Sequence, residues 1–177
     1  TEPEVRYFTG FRSLFWQSPT RPWFVVIPKN GKPIAIIPDI GRDLMTRTWI
    51  DDIRTWPSPR REDEGISLLV EVLEGAKNIG ILMGEEASLR MPLEDFEKLK
   101  LKIDGTFSDC SKIIKKVRLI KSEKEILILK NICSVANRSF DRANRLFFSG
   151  QPLNEAFREF KIALLEEGAE EVPYLVG

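Results

Sequence analysis

Seven residues in the first third of the chain combine aromatic faces with guanidinium charge: Phe15, Trp16, Arg21, Trp23, Trp49, Arg54 and Trp56. Tryptophan and arginine are the side chains most enriched at binding hot spots. An arginine also grips a carboxylate with two parallel hydrogen bonds. Two readings of the set stay open. It is a ligand-binding surface, or the tryptophans pack a core or lid and the arginines are surface charges. A stacking platform for single-stranded nucleic acid would call for a basic excess, whereas Lys+Arg and Asp+Glu are both 27 and the formal charge is zero.

The other candidate chemistry is weaker. Carboxylates adjoin at Asp51-Asp52, Glu62-Asp63-Glu64, Glu85-Glu86, Glu166-Glu167 and Glu170-Glu171. Neighbouring residues on a helix do not face the same way, so these read as solvated helix ends or faces rather than metal or acid/base pairs. Histidine is absent, which removes the commonest general base and transition-metal ligand and excludes a Ser-His-Asp triad, a Cys-His pair and an HExxH zinc site within these residues. Cys110 and Cys133 form no CxxC pattern, so a reducing cytoplasm is the default compartment. Gly80-Ile81-Leu82-Met83-Gly84 lacks the third glycine of a dinucleotide fingerprint and reads as a strand.

The 177 residues suffice for one domain and part of another. At 42% hydrophobic and 31% charged, the composition is that of an ordinary globular protein. No apolar run approaches the roughly 18 residues of a membrane span. Thr1 is not an initiator methionine and no signal-peptide pattern follows it, so a processed, trimmed or partial sequence is expected.

The elements that must position these residues form an alternating series. Val5–Phe8 reads as a strand ending at Thr9-Gly10, and residues 17–22 as a loop. Trp23–Ile27 and Ile34–Ile37 read as strands of a hairpin turning at Asn30-Gly31. A short helix is predicted within Asp39–Arg47 and a strand at Thr48–Ile50. Residues 51–61, punctuated by Pro57 and Pro59, read as a loop. A helix opens at Asp63 or Glu64 with Ile66, Leu69, Val70 and Leu73 on one face. A buried strand follows at Ile79–Met83, a helix over Met91–Leu101, a short extended piece at Thr106–Ser108 and a turn of helix over Lys112–Lys116. The first 116 residues thus predict an α/β domain in which helices cover a sheet.

Ser122 and Glu125 form a capping box. It starts a helix of about seven turns carrying Ile126, Leu129, Ala136, Phe140, Ala143 and Phe147, given 3.6 residues per turn. Gly150 ends that helix. A second runs from Asn154 to Gly168, and Val172–Val176 heads into a strand whose edge and apolar face would lie uncovered. The domains predicted are residues 1–116 and 117–177.

The phrase Arg118-Leu119-Ile120-Lys121-Ser122, with Glu125-Ile126 and a long helix after it, resembles the entry to the catalytic domain of the pita-bread metallohydrolases: prolidases, Xaa-Pro aminopeptidases and creatinase. Tyr7-Phe8-Thr9-Gly10-Phe11 is similar to the family's Y-[LF]-T-G-F segment. Gly84–Glu86 resembles its Gly-x-Glu, and Phe107-Ser108-Asp109 its F-x-D. The resemblance implies a mixed sheet flanked by helices, of the ribonuclease H-like creatinase N-terminal type, followed by the first two helices of a pita-bread domain. It implies a homodimeric, cytoplasmic Xaa-Pro peptidase-like hydrolase, with no nucleic acid or membrane as partner. In the full-length enzyme it implies two divalent metal ions (Mn, Zn, Co or Fe) whose ligands lie beyond Gly177, leaving this chain non-catalytic and without a cofactor. A creatinase-like or lyase-like enzyme of a small carboxylate metabolite, and a stand-alone dimerisation module, are the alternatives. By resemblance to creatinase-like members, Arg21 would bind a substrate carboxylate across the dimer, with Trp16, Trp23 and Trp56 as further substrate-binding residues.

Overall fold

The computed structural model describes residues 1–17 and 21–175. The chain divides into two compact units, Thr1–Val117 and Arg118–Gly177.

The first unit opens with a correction. The expected strand Val5–Phe8 lies within helix α1, Glu2–Thr9. Its ends explain why. Glu2 and Glu4 occupy the first turn, beside the positive end of the helix dipole. Pro3 stands where its missing N–H has no helical partner to lose. Gly10 closes the helix in the left-handed region at φ 75°, its N–H reaching the Arg6 carbonyl at 2.8 Å. Thr9 is buried; its Oγ1 donates to the Val5 carbonyl at 2.6 Å and accepts the Phe11 N–H at 3.0 Å. A single 3-10 turn, Leu14–Gln17, follows.

The expected hairpin is present. Strand β1, Phe24–Val26, pairs antiparallel with β2, Ile34–Pro38, with Val25 opposite Ala35. A 3-10 turn over Asp39–Gly41 and the short helix α2, Arg42–Met45, come next. Here the strand prediction fails by a few residues. Thr48–Ile50 is a turn, in which Thr48 Oγ1 donates to the Met45 carbonyl at 2.7 Å and accepts the Ile50 N–H at 3.2 Å. The strand is β3, Asp52–Trp56, in the stretch read as a loop, and it pairs parallel to β2 from Ile34↔Asp52 to Pro38↔Trp56. Asp52 and Arg54 lie two apart, on one face of a pleated strand. Their ion pair at 3.2 Å keeps that polar edge together, so polarity did not preclude a strand.

Helix α3 (Ile66–Val72), strand β4 (Asn78–Ile81), helix α4 (Leu93–Lys102), strand β5 (Thr106–Asp109) and helix α5 (Ser111–Leu119) complete the unit. β4 and β5 pair in parallel as a separate ladder, so the single sheet expected is a three-stranded mixed sheet and a two-stranded one. Strand β2 serves two cores at once. Ala35 and Ile37 pack with Val5, Phe11, Trp23, Met45 and Ile50. Ile36 packs on the other face with Trp56, Ile66, Leu69, Leu73, Ile79 and Leu99. All three β2 residues are fully buried, and each large apolar side chain so buried stabilises by about 1.5–3 kcal/mol.

In the second unit helix α6, Glu123–Asp141, begins at the capping box. Glu125 N–H reaches Ser122 Oγ at 3.4 Å and Glu125 Oε2 accepts the Ser122 N–H at 2.8 Å. The helix is shorter than expected, because the chain turns at Arg142 before a single-turn helix α7, Ala143–Leu146. At that turn Arg142 pairs with Glu166 at 2.7 Å and Glu167 at 3.4 Å, joining Arg138, which reaches Glu167 at 2.9 Å. Helix α8, Leu153–Glu166, sets Phe160 against the rings of Phe140 and Phe147 at centroid distances of 4.8 and 5.7 Å. Residues 171–175 have no regular structure. The strand expected from Val172 finds no pairing partner among the described residues, and its last residue, Val176, lies outside them.

Candidate functional site

The aromatic-basic set does not form one open surface. Trp23 is 6% exposed in the first core. Its ring stacks parallel to Phe15 at 6.1 Å and tilts on Phe11 at 5.3 Å. Trp56 is 3% exposed at the end of β3, and its edge is committed, since Nε1 donates to Glu64 Oε2 at 2.8 Å. The surface reading expects free indoles at these two positions, whereas both are packing elements. Trp49 is an exposed indole, at 54%, with Nε1 donating to the Phe8 carbonyl at 3.1 Å. Trp16 falls in the Leu14–Gln17 turn, and its side chain lies outside the described residues. Arg54 is paired with Asp52.

Glu64 is the centre of the polar structure here, and sequence reasoning missed it. Besides Trp56, its carboxylate accepts Ser58 Oγ–H at 2.7 Å through Oε2 and the Arg60 N–H at 2.6 Å through Oε1. It therefore holds the Pro57–Arg61 loop against the end of β3. Burial alone would raise the Glu64 pKa, but the hydrogen bonds from Trp56, Ser58 and Arg60, with the nearby charge of Arg21, carry it below the ordinary carboxylate value. Gly65 lets α3 begin directly behind it. At φ 84° the residue is left-handed, and a Cβ there would come within 2.5 Å of the Trp56 ring. The available signal was the acidic run Glu62-Asp63-Glu64 just before Gly65 and a helix. Asp63 there accepts the Ser67 N–H at 3.1 Å, one of the first N–H groups of α3, which have no partner within the helix.

Arg21 is half-buried and, among the described residues, makes no ion pair within 4.0 Å of a carboxylate. Glu64 attracts it from farther off. Its guanidinium retains the fork of N–H donors that suits a carboxylate ligand. The carboxylate pairs behave differently from one another: Glu166 and Glu167 take Arg142 and Arg138, and Glu86 takes Lys115 at 3.0 Å. Asp109 accepts the N–H of Ser111 at 3.0 Å and of Met83 at 3.4 Å, tying the end of β4 to the start of α5. Among the described residues, no group of three or more His, Cys, Asp or Glu could hold a metal ion. No helix among them is long and apolar enough to cross a membrane.

Residues 1–120 match the Creatinase/Prolidase N-terminal domain, and the chain belongs to that family. It is 33% identical to the Xaa-Pro dipeptidase of Pyrococcus horikoshii over 101 residues, 56% of this chain and 27% of that protein. Among solved structures it is similar to the prolidase of Pyrococcus horikoshii, with a TM-score of 0.73 at 22% identity over 96% of this chain and 44% of the other. It is likewise similar to the X-Pro aminopeptidase of Thermotoga maritima, at 0.75 and 20% over 97% and 45%. The Xaa-Pro dipeptidase of Bacillus anthracis gives 0.75 and 20% over 96% and 44%. These last are likenesses of fold. The chain spans less than half the length of the relatives it matches.

Proposed function

We propose that this chain is the N-terminal, dimerising and substrate-gating part of a metal-dependent Xaa-Pro peptidase that acts as a cytoplasmic homodimer, with Arg21 taking the substrate carboxylate across the dimer. The proposal includes a ribonuclease H-like topology for the first unit and a pita-bread catalytic domain beginning with α6. The observation that carries it is the family match over residues 1–120, joined by the 33% identity to an Xaa-Pro dipeptidase. Arg21 supports the substrate role because its charge is attracted, but not consumed, by Glu64. Trp16 is the companion contact. Trp23 and Trp56 act indirectly, by fixing the segments that carry them.

The resemblance implies two divalent metal ions, but the described residues offer them no ligand set. The described residues of this chain do not fit that pair, and no step is assigned through it. What this chain contributes is carboxylate recognition and orientation.

The test uses the whole reading frame that encodes the chain, supplied with a divalent metal and an Xaa-Pro dipeptide. Hydrolysis is expected, and Arg21→Ala lowers kcat/KM by about tenfold or more, the loss of one charge-assisted contact. An unchanged kcat/KM removes Arg21 from the site. Turnover of a small carboxylate metabolite in place of the dipeptide would assign the creatinase-like alternative. The 177-residue chain alone is expected to be inert, and turnover by it would defeat the proposal.

A further inference from the structure

Arg21 is restrained from more than one side. Pro22, next in the chain, is fully buried, and Trp23 after it is packed in the first core. The carbonyl of Arg21 accepts a hydrogen bond from Arg90 Nη1 at 3.0 Å, a contact between residues 69 positions apart. Arg90 stands in the loop before α4 and is half-buried. A guanidinium partly removed from water costs free energy unless its donors are used, and burial lowers the Arg90 pKa against the opposing charge of Glu2 in α1. Beyond the side chain, Glu64 is fixed by Trp56, Ser58 and Arg60. Arg21 is thus held at its main chain while its own donors form no ion pair among the described residues.

We propose that Arg90 is a positioning residue for Arg21: by holding the carbonyl of residue 21 it fixes the main chain from which the Arg21 guanidinium meets a ligand carboxylate. The inference rests on the assignment of Arg21 to the substrate carboxylate. It gives Arg90 no contact with ligand. Its effect is on how often Arg21 stands in the competent place, so loss of Arg90 reduces affinity through the competent fraction.

Nitrogen relaxation of the 177-residue chain reads this directly. The Arg21 amide order parameter is expected near 0.85 in the wild type and below about 0.6 in Arg90→Met. Arg90→Gln, too short to reach the carbonyl, supplies the same comparison should Arg90→Met fail to fold. A variant that loses thermal stability yet keeps the Arg21 amide ordered would overturn the proposal, since Arg90 would then only brace the domain. Titration of the protein encoded by the whole reading frame with a proline-ended dipeptide, followed at the Arg21 Nε–H, tests the parent assignment separately. No shift in the wild type defeats the carboxylate role, and the order parameter still decides the case of Arg90. Where the wild type does shift, Arg90→Gln is expected to weaken the dipeptide about tenfold as the competent fraction falls. Equal affinity in the two proteins overturns the positioning role.

Discussion

The two units hold their elements together by different means. In Thr1–Val117 a strand with both faces buried joins two apolar cores, and nearly every large buried side chain among the described residues lies there. Among the described residues of Arg118–Gly177 the buried ones are Ser139, Phe160 and Ala163, while Ile126, Leu127, Ile128 and Leu129 are all exposed. The second unit relies on one ring cluster around Phe160 and on the pairing of Arg138 and Arg142 with Glu166 and Glu167. The lesson is that apolar content is not burial. Exposed ion pairs contribute about 0–1 kcal/mol each, so Phe160 carries most of what joins α6 to α8.

The contrast can be broken by experiment. Phe11→Ala, at 1% exposure, is expected to cost about 3–5 kcal/mol, seen as one cooperative shift of the denaturant midpoint of the first unit. Phe160→Ala is expected to cost about 3 kcal/mol and to raise hydrogen exchange in α6 and α8 while leaving β1, β2 and β3 protected. Loss of protection in both units together would show that they are not separately stabilised. Ser122→Ala should remove about 1 kcal/mol, read as fraying of the first turn of α6. Glu64→Gln has the smallest effect at neutral pH and sharpens the account of the Trp56 loop. The Glu64 pKa is depressed on folding. Its stabilisation is therefore complete above the ordinary carboxylate range and is lost as pH falls through the lower, folded value. Trp56 fluorescence in acid titration should show that step in the wild type and lose it in the variant.

Much of this architecture was legible because it is written in local signals. The capping box at Ser122, the Asn30-Gly31 hairpin and the apolar face of α3 depend on residues close in sequence, and the structure contains each of them. The failures have a common physical origin. Val5–Phe8 looked like a strand because it is β-branched and aromatic, but the helix is decided by Glu2, Pro3 and Gly10 at its ends. Asp52–Trp56 looked too polar for a strand, but its pairing with β2 is set by residues some twenty positions away. The candidate site divided in the same way. The types Arg21, Trp23 and Trp56 were visible, whereas the contacts that bury two of them and tether the third, through Glu64 and Arg90, arise only in three dimensions.

Strand β2 has one more consequence. A strand with one wet face resists slipping because a shift of one residue would put polar groups inside. Ile34 to Ile37 has no such guard, since both faces are apolar and both are covered. What forbids an out-of-register pairing must be shape and missing donors: the small Ala35 between isoleucines, and Pro33 and Pro38 at either end. Pro38 already ends the ladder opposite Trp56, and a slip the other way would draw Pro33, which lacks an N–H, into it. The two prolines that bracket this strand therefore proofread its alignment, a task that polarity performs in most sheets.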